Sequence, residues 1–98
     1  MYTTLYYIKV EREGFPTVYK IGITKKSVKE RYRYELSNCK ITVLNETTYE
    51  DGTLAWEEEL RIVQAYREFK YKGDKIFDHT GTKELFTKDV LELDFKGV

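Results

Sequence analysis

The chain contains a single cysteine, Cys39, so no intrachain disulfide can form, as fits a reducing cytoplasm. That cysteine and the one histidine, His79, cannot by themselves supply the four ligands of a structural zinc site. No apolar run approaches the ~20 residues needed to cross a bilayer, so no membrane partner is expected. The N-terminus lacks the charged-then-apolar pattern of a secretion signal, and a cytoplasmic location is expected. Neither charge sign is in excess, with 17 Lys and Arg against 17 Asp and Glu. There is no internal repeat and no low-complexity segment.

What is present suffices for one small domain over residues 1–98, with a core rich in Tyr and Phe. The charges are unevenly placed. Residues 1–40 carry nine Lys and Arg against four acids, and the remainder carries eight against thirteen. A basic first half can meet phosphates, although alternating surface charges would read the same way.

Residues 3–10, TTLYYIKV, read as a strand. A turn around Gly14 and Pro16 leads to a second strand over residues 17–23, TVYKIGI, most simply paired as an antiparallel hairpin. Ser27 and Glu30 have capping-box spacing, and Val28, Tyr32 and Leu36 form a helical apolar stripe. Arg31 and Arg33 flank that stripe on opposite sides, so helical phase does not choose between them. Residues 39–48 look like a third strand, with Ile41, Val43 and Asn45 alternating. A long helix is predicted from about Thr53 to about Tyr71, stopping near Gly73. Residues 74–83 read as loop, and Thr87 can cap a short helix over residues 88–93. The expected fold class is α/β (α+β): a small, mainly antiparallel three-stranded sheet flanked by helices, in the order β-β-α-β-α-(α).

The anomaly is Glu59. At about 100° per residue, Ala55, Ile62, Val63, Tyr66 and Phe69 share one helix face, and Glu59 lies within that apolar arc. A carboxylate there is costly unless paired, protonated or bound to metal. Glu57 points to the far side.

Three pieces then form a pattern: Thr4-Leu5-Tyr6-Tyr7-Ile8; Tyr19-Lys20-Ile21-Gly22-Ile23-Thr24 with Arg31 after it; and the helix around Glu59. Together, and in this order, they resemble the GIY-YIG nuclease superfamily, most closely its short phage-type branch with a K-I-G second motif. The resemblance covers roughly residues 4–93, and Glu84-Leu85-Phe86 is similar to the end of that branch. It implies a metal-dependent DNA endonuclease, using Mg²⁺ or Mn²⁺, in a bacterial or phage-infected cell. Tyr6 matches the first-motif tyrosine, Lys20 stands where the second-motif tyrosine falls, and Gly22 matches the motif glycine. Arg31 matches the helix arginine at one residue beyond the usual spacing, and Glu59 matches the metal-binding glutamate. Tyr19 should face the opposite side of its strand from Lys20.

These matches make Tyr6, Lys20, Arg31 and Glu59 the candidate catalytic residues, with Glu59 as metal ligand. Gly22, Lys25, Lys29 and Arg33 are candidate substrate contacts. Thr4 stands at the first-motif glycine, and the family's terminal asparagine has no clear counterpart. A second expectation is therefore a binding module on the same scaffold without catalysis, contacting nucleic acid or protein, such as a phage interaction or inhibitor protein. So short a chain has no room for a separate sequence-reading domain. Specificity would come from a homodimer, a partner protein or DNA shape.

Overall fold

A computed structural model describes residues 2–80 and 84–95 of the chain. Its framework is the predicted hairpin. Strand β1 (Thr3–Glu11) pairs antiparallel with β2 (Val18–Thr24), setting Tyr6 opposite Gly22 and Ile8 opposite Lys20. The connecting turn holds Gly14 at φ 84°, a left-handed conformation that glycine adopts without Cβ strain. Side chains alternate across a strand. Tyr6, Ile8, Val10 and Val18 therefore enter one core cluster, and Leu5, Tyr7 and Ile21 enter another on the opposite face.

Strand β3 (Lys40–Tyr49) lines the other side of β1, also antiparallel. Its register shifts where Tyr7 faces Asn45 and Ile8 faces Val43, which leaves Leu44 as an extra residue. That bulge breaks the expected alternation. Val43 is exposed, while Leu44 packs against the second core cluster.

A fourth strand, β4 (Leu85–Phe86), pairs with Tyr19 and Lys20 and completes the sheet order β3-β1-β2-β4. Three strands were expected. A two-residue strand has no periodicity to read, and tertiary pairing alone creates it. The molecule is thus a small α+β domain with a four-stranded antiparallel sheet and two helices.

Helix α1 (Val28–Arg31) opens as its capping box predicts, with the Ser27 hydroxyl accepting the Glu30 N–H at 3.1 Å. It stops after one turn, and irregular turns continue to Asn38. Val28 and Tyr32 still point into the core, but Leu36 is exposed. Helix α2 (Gly52–Ala65) is capped by the Asp51 carboxylate and covers the second face through Ala55 and Ile62. It ends well short of Tyr71. A single 3-10 turn (Arg67–Phe69) and an extended Lys70 follow, because residues 70 and 71 turn aside to bond the β4 segment. The expected stop at Gly73 is not used; the Tyr71 ring lies against that glycine instead.

Residues 74–80 are loop, as expected; 81–83, included in that reading, lie outside the described residues. The helix expected over 88–93 is absent, replaced by turns, and Thr87 donates to the Phe69 carbonyl rather than capping. Side chains hold this segment to the sheet. The Tyr7 hydroxyl donates to Asp89 at 2.7 Å, and Asp94 accepts from Tyr19 at 2.8 Å and pairs with Lys9 at 2.9 Å.

Glu35 anchors the loop. Its carboxylate is only 1% exposed and accepts the backbone N–H groups of Asp78, His79 and Thr80 at 2.9, 3.0 and 2.7 Å. Burial alone would raise its pKa, but these bonds outweigh burial and hold it below the ordinary carboxylate value. Its ionised form therefore stabilises the fold above the unfolded pKa of about 4.3, and that contribution is lost as pH falls through the lower folded value. Substituting Glu35→Gln is expected to lower stability by about 2 kcal/mol near neutral pH, the range for a hydrogen-bonded charge. Thermal unfolding of both proteins between neutral pH and about pH 3 should show the gap closing as the solution is acidified.

Candidate active site

The site forms at the edge of the sheet, where β4 ends. On β2, β4 pairs with Tyr19 and Lys20. Beyond that pairing, Glu59 comes close enough to the Ile23 N–H for that group to favour its charged form. Glu59 reaches it from α2, two turns after the Asp51 cap, and is half-buried. Its pKa is raised: burial contributes most, the charge of Glu84 adds to it, and Lys20 and the Ile23 N–H oppose it.

Tyr6 crosses the hairpin over Gly22. A Cβ at position 22 would lie 2.6 Å from the Tyr6 ring carbon bearing the hydroxyl, so only glycine admits this ring. The two phenols of Tyr6 and Tyr32 share a hydrogen bond of 2.6 Å, with their rings edge-to-face at 5.7 Å between centroids. Burial pushes the Tyr6 pKa up; the Tyr32 bond and the Arg31 charge pull against it, while Glu59 and Glu84 add to the rise. Tyr32 is also raised, by burial first and then by Tyr6. Both phenols therefore keep their protons at neutral pH.

Lys20 is 5% exposed, and its Nζ lies 3.4 Å from a Glu84 carboxylate oxygen. Its pKa is lowered by burial and by Arg31, with Glu84 and Glu59 restoring part of the loss. Arg31 stays at the surface at the end of α1, its guanidinium 5.7 Å from the Tyr32 ring centre. Tyr6, Lys20, Arg31 and Glu59 come from β1, β2, α1 and α2. They stand close enough for the charges of Arg31 and Glu59 to act on both Tyr6 and Lys20.

No family model, curated protein or solved structure matches the chain.

The candidate substrate contacts divide. Lys25 and Arg33 line one cleft with Arg31, which resolves the choice that helical phase left open: both arginines reach the same side. Lys29 does not join them. It faces a separate apolar hollow with Leu36 and Val43, because α1 ends after one turn and Lys29 lies on its far side. Tyr19 faces away from Lys20 as expected, toward Asp94. Glu57 is exposed, and Glu58 pairs with Arg61.

Two participants escaped the sequence reading. Glu84 was matched only as part of Glu84-Leu85-Phe86 and given no role at the site, yet it pairs with Lys20 and raises Glu59; its φ of 62° sets it apart from a regular strand residue. Tyr32 looked like core, and it is core, but its hydroxyl also holds Tyr6. The only signal was its place one residue after Arg31.

Gly22→Ala tests the close approach. The added methyl group must displace the Tyr6 ring, so a loss of about 1–3 kcal/mol is expected, as for overpacking. Denaturant unfolding measures that loss, and near-ultraviolet circular dichroism reports the altered tyrosine environment.

Proposed function

We propose that the chain is a metal-dependent endonuclease that hydrolyses DNA phosphodiester bonds through a GIY-YIG-type site. The observation that carries this reading is the meeting of Tyr6, Lys20, Arg31 and Glu59, from four separate elements, around a glycine that the Tyr6 ring requires.

The donor chemistry fits Mg²⁺ or Mn²⁺. Among the described residues there is no group of three or more His, Cys, Asp or Glu that could hold a metal. Mg²⁺, however, is commonly held by one or two carboxylates, with waters and substrate phosphates completing its shell. Glu59, half-buried with a raised pKa and with Glu84 close by, is a carboxylate whose ionised form gains from an added cation. Glu59 would hold the ion, with Glu84 beside it. When bound, the ion supplies charge neutralisation at the phosphate and the leaving oxygen.

The chain's own groups divide the remaining work. Arg31, at the surface and unpaired by any carboxylate among the described residues, presents its planar fork to phosphate oxygens. Lys20, whose Nζ lies 3.4 Å from Glu84, holds the attacking water or a phosphate oxygen by hydrogen bonding. Tyr6 keeps its proton and orients the water by hydrogen bonding. Gly22 leaves room for that phenol.

The raised pKa values of Tyr6 and Tyr32 also favour a second reading. A site whose phenols bond one another and stay protonated can serve a module that binds nucleic acid or protein without cutting. One assay separates the two. Glu59→Gln and Arg31→Ala are each expected to reduce Mg²⁺-dependent nicking of supercoiled DNA by about 100-fold or more, with the fold intact. Chelator should abolish nicking by the unaltered protein. Equal nicking by Glu59→Gln would remove that residue from the chemistry. Binding without nicking would leave the second reading.

A further inference from the structure

Two clefts meet at the end of β2. One, of about 520 Å³, is lined by Lys25, Lys26, Arg31, Arg33, Tyr34 and His79 among others. The other, of about 600 Å³, lies against the start of α2 and includes Thr53 and Trp56. Both contain Ile23, Thr24 and Lys25, so a single groove runs past the end of β2 from Trp56 to Tyr34.

The groove's charges are unequally engaged. Among the described residues no carboxylate pairs with Lys25, Lys26, Arg31 or Arg33. The acids that line it are occupied within the fold. Glu35 accepts three backbone N–H groups, Asp51 accepts the Thr53 N–H at 2.9 Å, and Glu30 accepts the Ser27 hydroxyl at 3.3 Å. With four cations against three carboxylates, one of which (Glu35) is buried, the groove presents a net positive wall although the chain as a whole is neutral.

At each end stands an exposed aromatic ring. Tyr34 is 61% exposed and Trp56 51%. The Arg33 guanidinium lies 4.6 Å from the Tyr34 ring centre and donates to its hydroxyl at 2.8 Å, while the His79 ring lies 5.6 Å away. Tyr34 is thus braced from one side by a cation and from another by an imidazole, yet most of its surface meets solvent. Cations that track a backbone and aromatic faces that stack bases are the two parts of a single-strand binding groove. A base paired within a duplex presents only its edge and cannot lie on such a ring.

We propose that this groove binds an unpaired nucleic-acid strand. Its phosphates follow Lys25, Lys26, Arg31 and Arg33, and its bases stack on Tyr34 and Trp56. The inference rests on the nuclease reading for the ligand's class and narrows it: the preferred substrate carries a single-stranded segment next to the phosphate held by Arg31.

Trp56 is the sole tryptophan, so its fluorescence reports directly on stacking at one end of the groove. With chelator present to prevent cleavage, the full chain is titrated with a thymidine oligonucleotide, the matching uridine oligonucleotide and a duplex of equal length, each labelled for anisotropy. At least one single strand is expected to bind more tightly than the duplex and to quench Trp56, and the tighter of the two identifies the sugar. Tyr34→Ala and Trp56→Ala should each weaken single-strand binding by roughly tenfold, within the range for loss of one stacked base, while Tyr34→Phe retains it. Both rings are exposed, and circular dichroism verifies the fold of each variant. Duplex binding as tight as single-strand binding, an unquenched Trp56, or unchanged single-strand affinity in Tyr34→Ala would overturn the proposal. Single-strand binding in chelator with no cleavage in Mg²⁺ would reject the nuclease reading and leave the groove standing. Cleavage without single-strand preference would do the reverse.

Discussion

The contact on which this molecule depends is the Tyr6 phenol reaching across Gly22 to the Tyr32 hydroxyl. A one-turn helix such as α1 has little stability of its own. It is held because Val28 and Tyr32 fill the core cluster that Tyr6 enters from the sheet. Arg31 precedes Tyr32, so whatever locates Tyr32 also locates the guanidinium. Lys20 lies on the next strand, two residues before the glycine. One ring over one missing side chain thereby relates three groups that the chain separates by as many as 25 positions. Glu35 extends the arrangement by tying loop residues 78–80, including the His79 backbone, to the segment after α1.

Burial and charge oppose one another throughout this region. Desolvation raises Glu59, Tyr6 and Tyr32 and lowers Lys20, so each is driven toward its neutral form. Charges on neighbouring elements restore only part of that loss. Such a cluster adds little to stability, because half-dry ionisable groups are costly to assemble. Under the nuclease proposal, the same cluster is prepared for charges brought by a ligand. Glu35 is the useful contrast, since its burial is fully answered by N–H donors and its pKa falls. Two carboxylates shifted in opposite directions, Glu35 and Glu59, occur in the same small domain, and hydrogen-bond satisfaction separates them.

Much of the fold was legible in advance, for identifiable reasons. The hairpin follows from alternation in TTLYYIKV and TVYKIGI, and the start of α1 follows from its capping box. The third strand was found, but the bulge at Leu44 was not, since one extra residue reverses the facing of everything beyond it. The helices were read too long. Apolar residues at Leu36, Phe69 and Tyr71 continue a helical period in sequence while the chain has already turned away. At the site, Tyr6, Lys20 and Arg31 were named from the family resemblance and Glu59 from helical phase as well, and the charges of Arg31 and Glu59 act on both Tyr6 and Lys20. Lys29 was named and lies elsewhere.

By itself the sequence determined what is periodic or local: two facing strands, a cap, an amphipathic helix, and an acid misplaced on its apolar face. These depend on neighbours within a few positions, where backbone geometry dictates which side chains share a side. Only the tertiary structure decided the rest. It paired Leu85 and Phe86 with β2, brought Glu84 against Lys20, turned Glu35 inward, and set Tyr34 and Trp56 at the two ends of one groove. Each of these joins residues far apart in the chain, and such contacts form only when packing offsets the entropy of closing the loops between them.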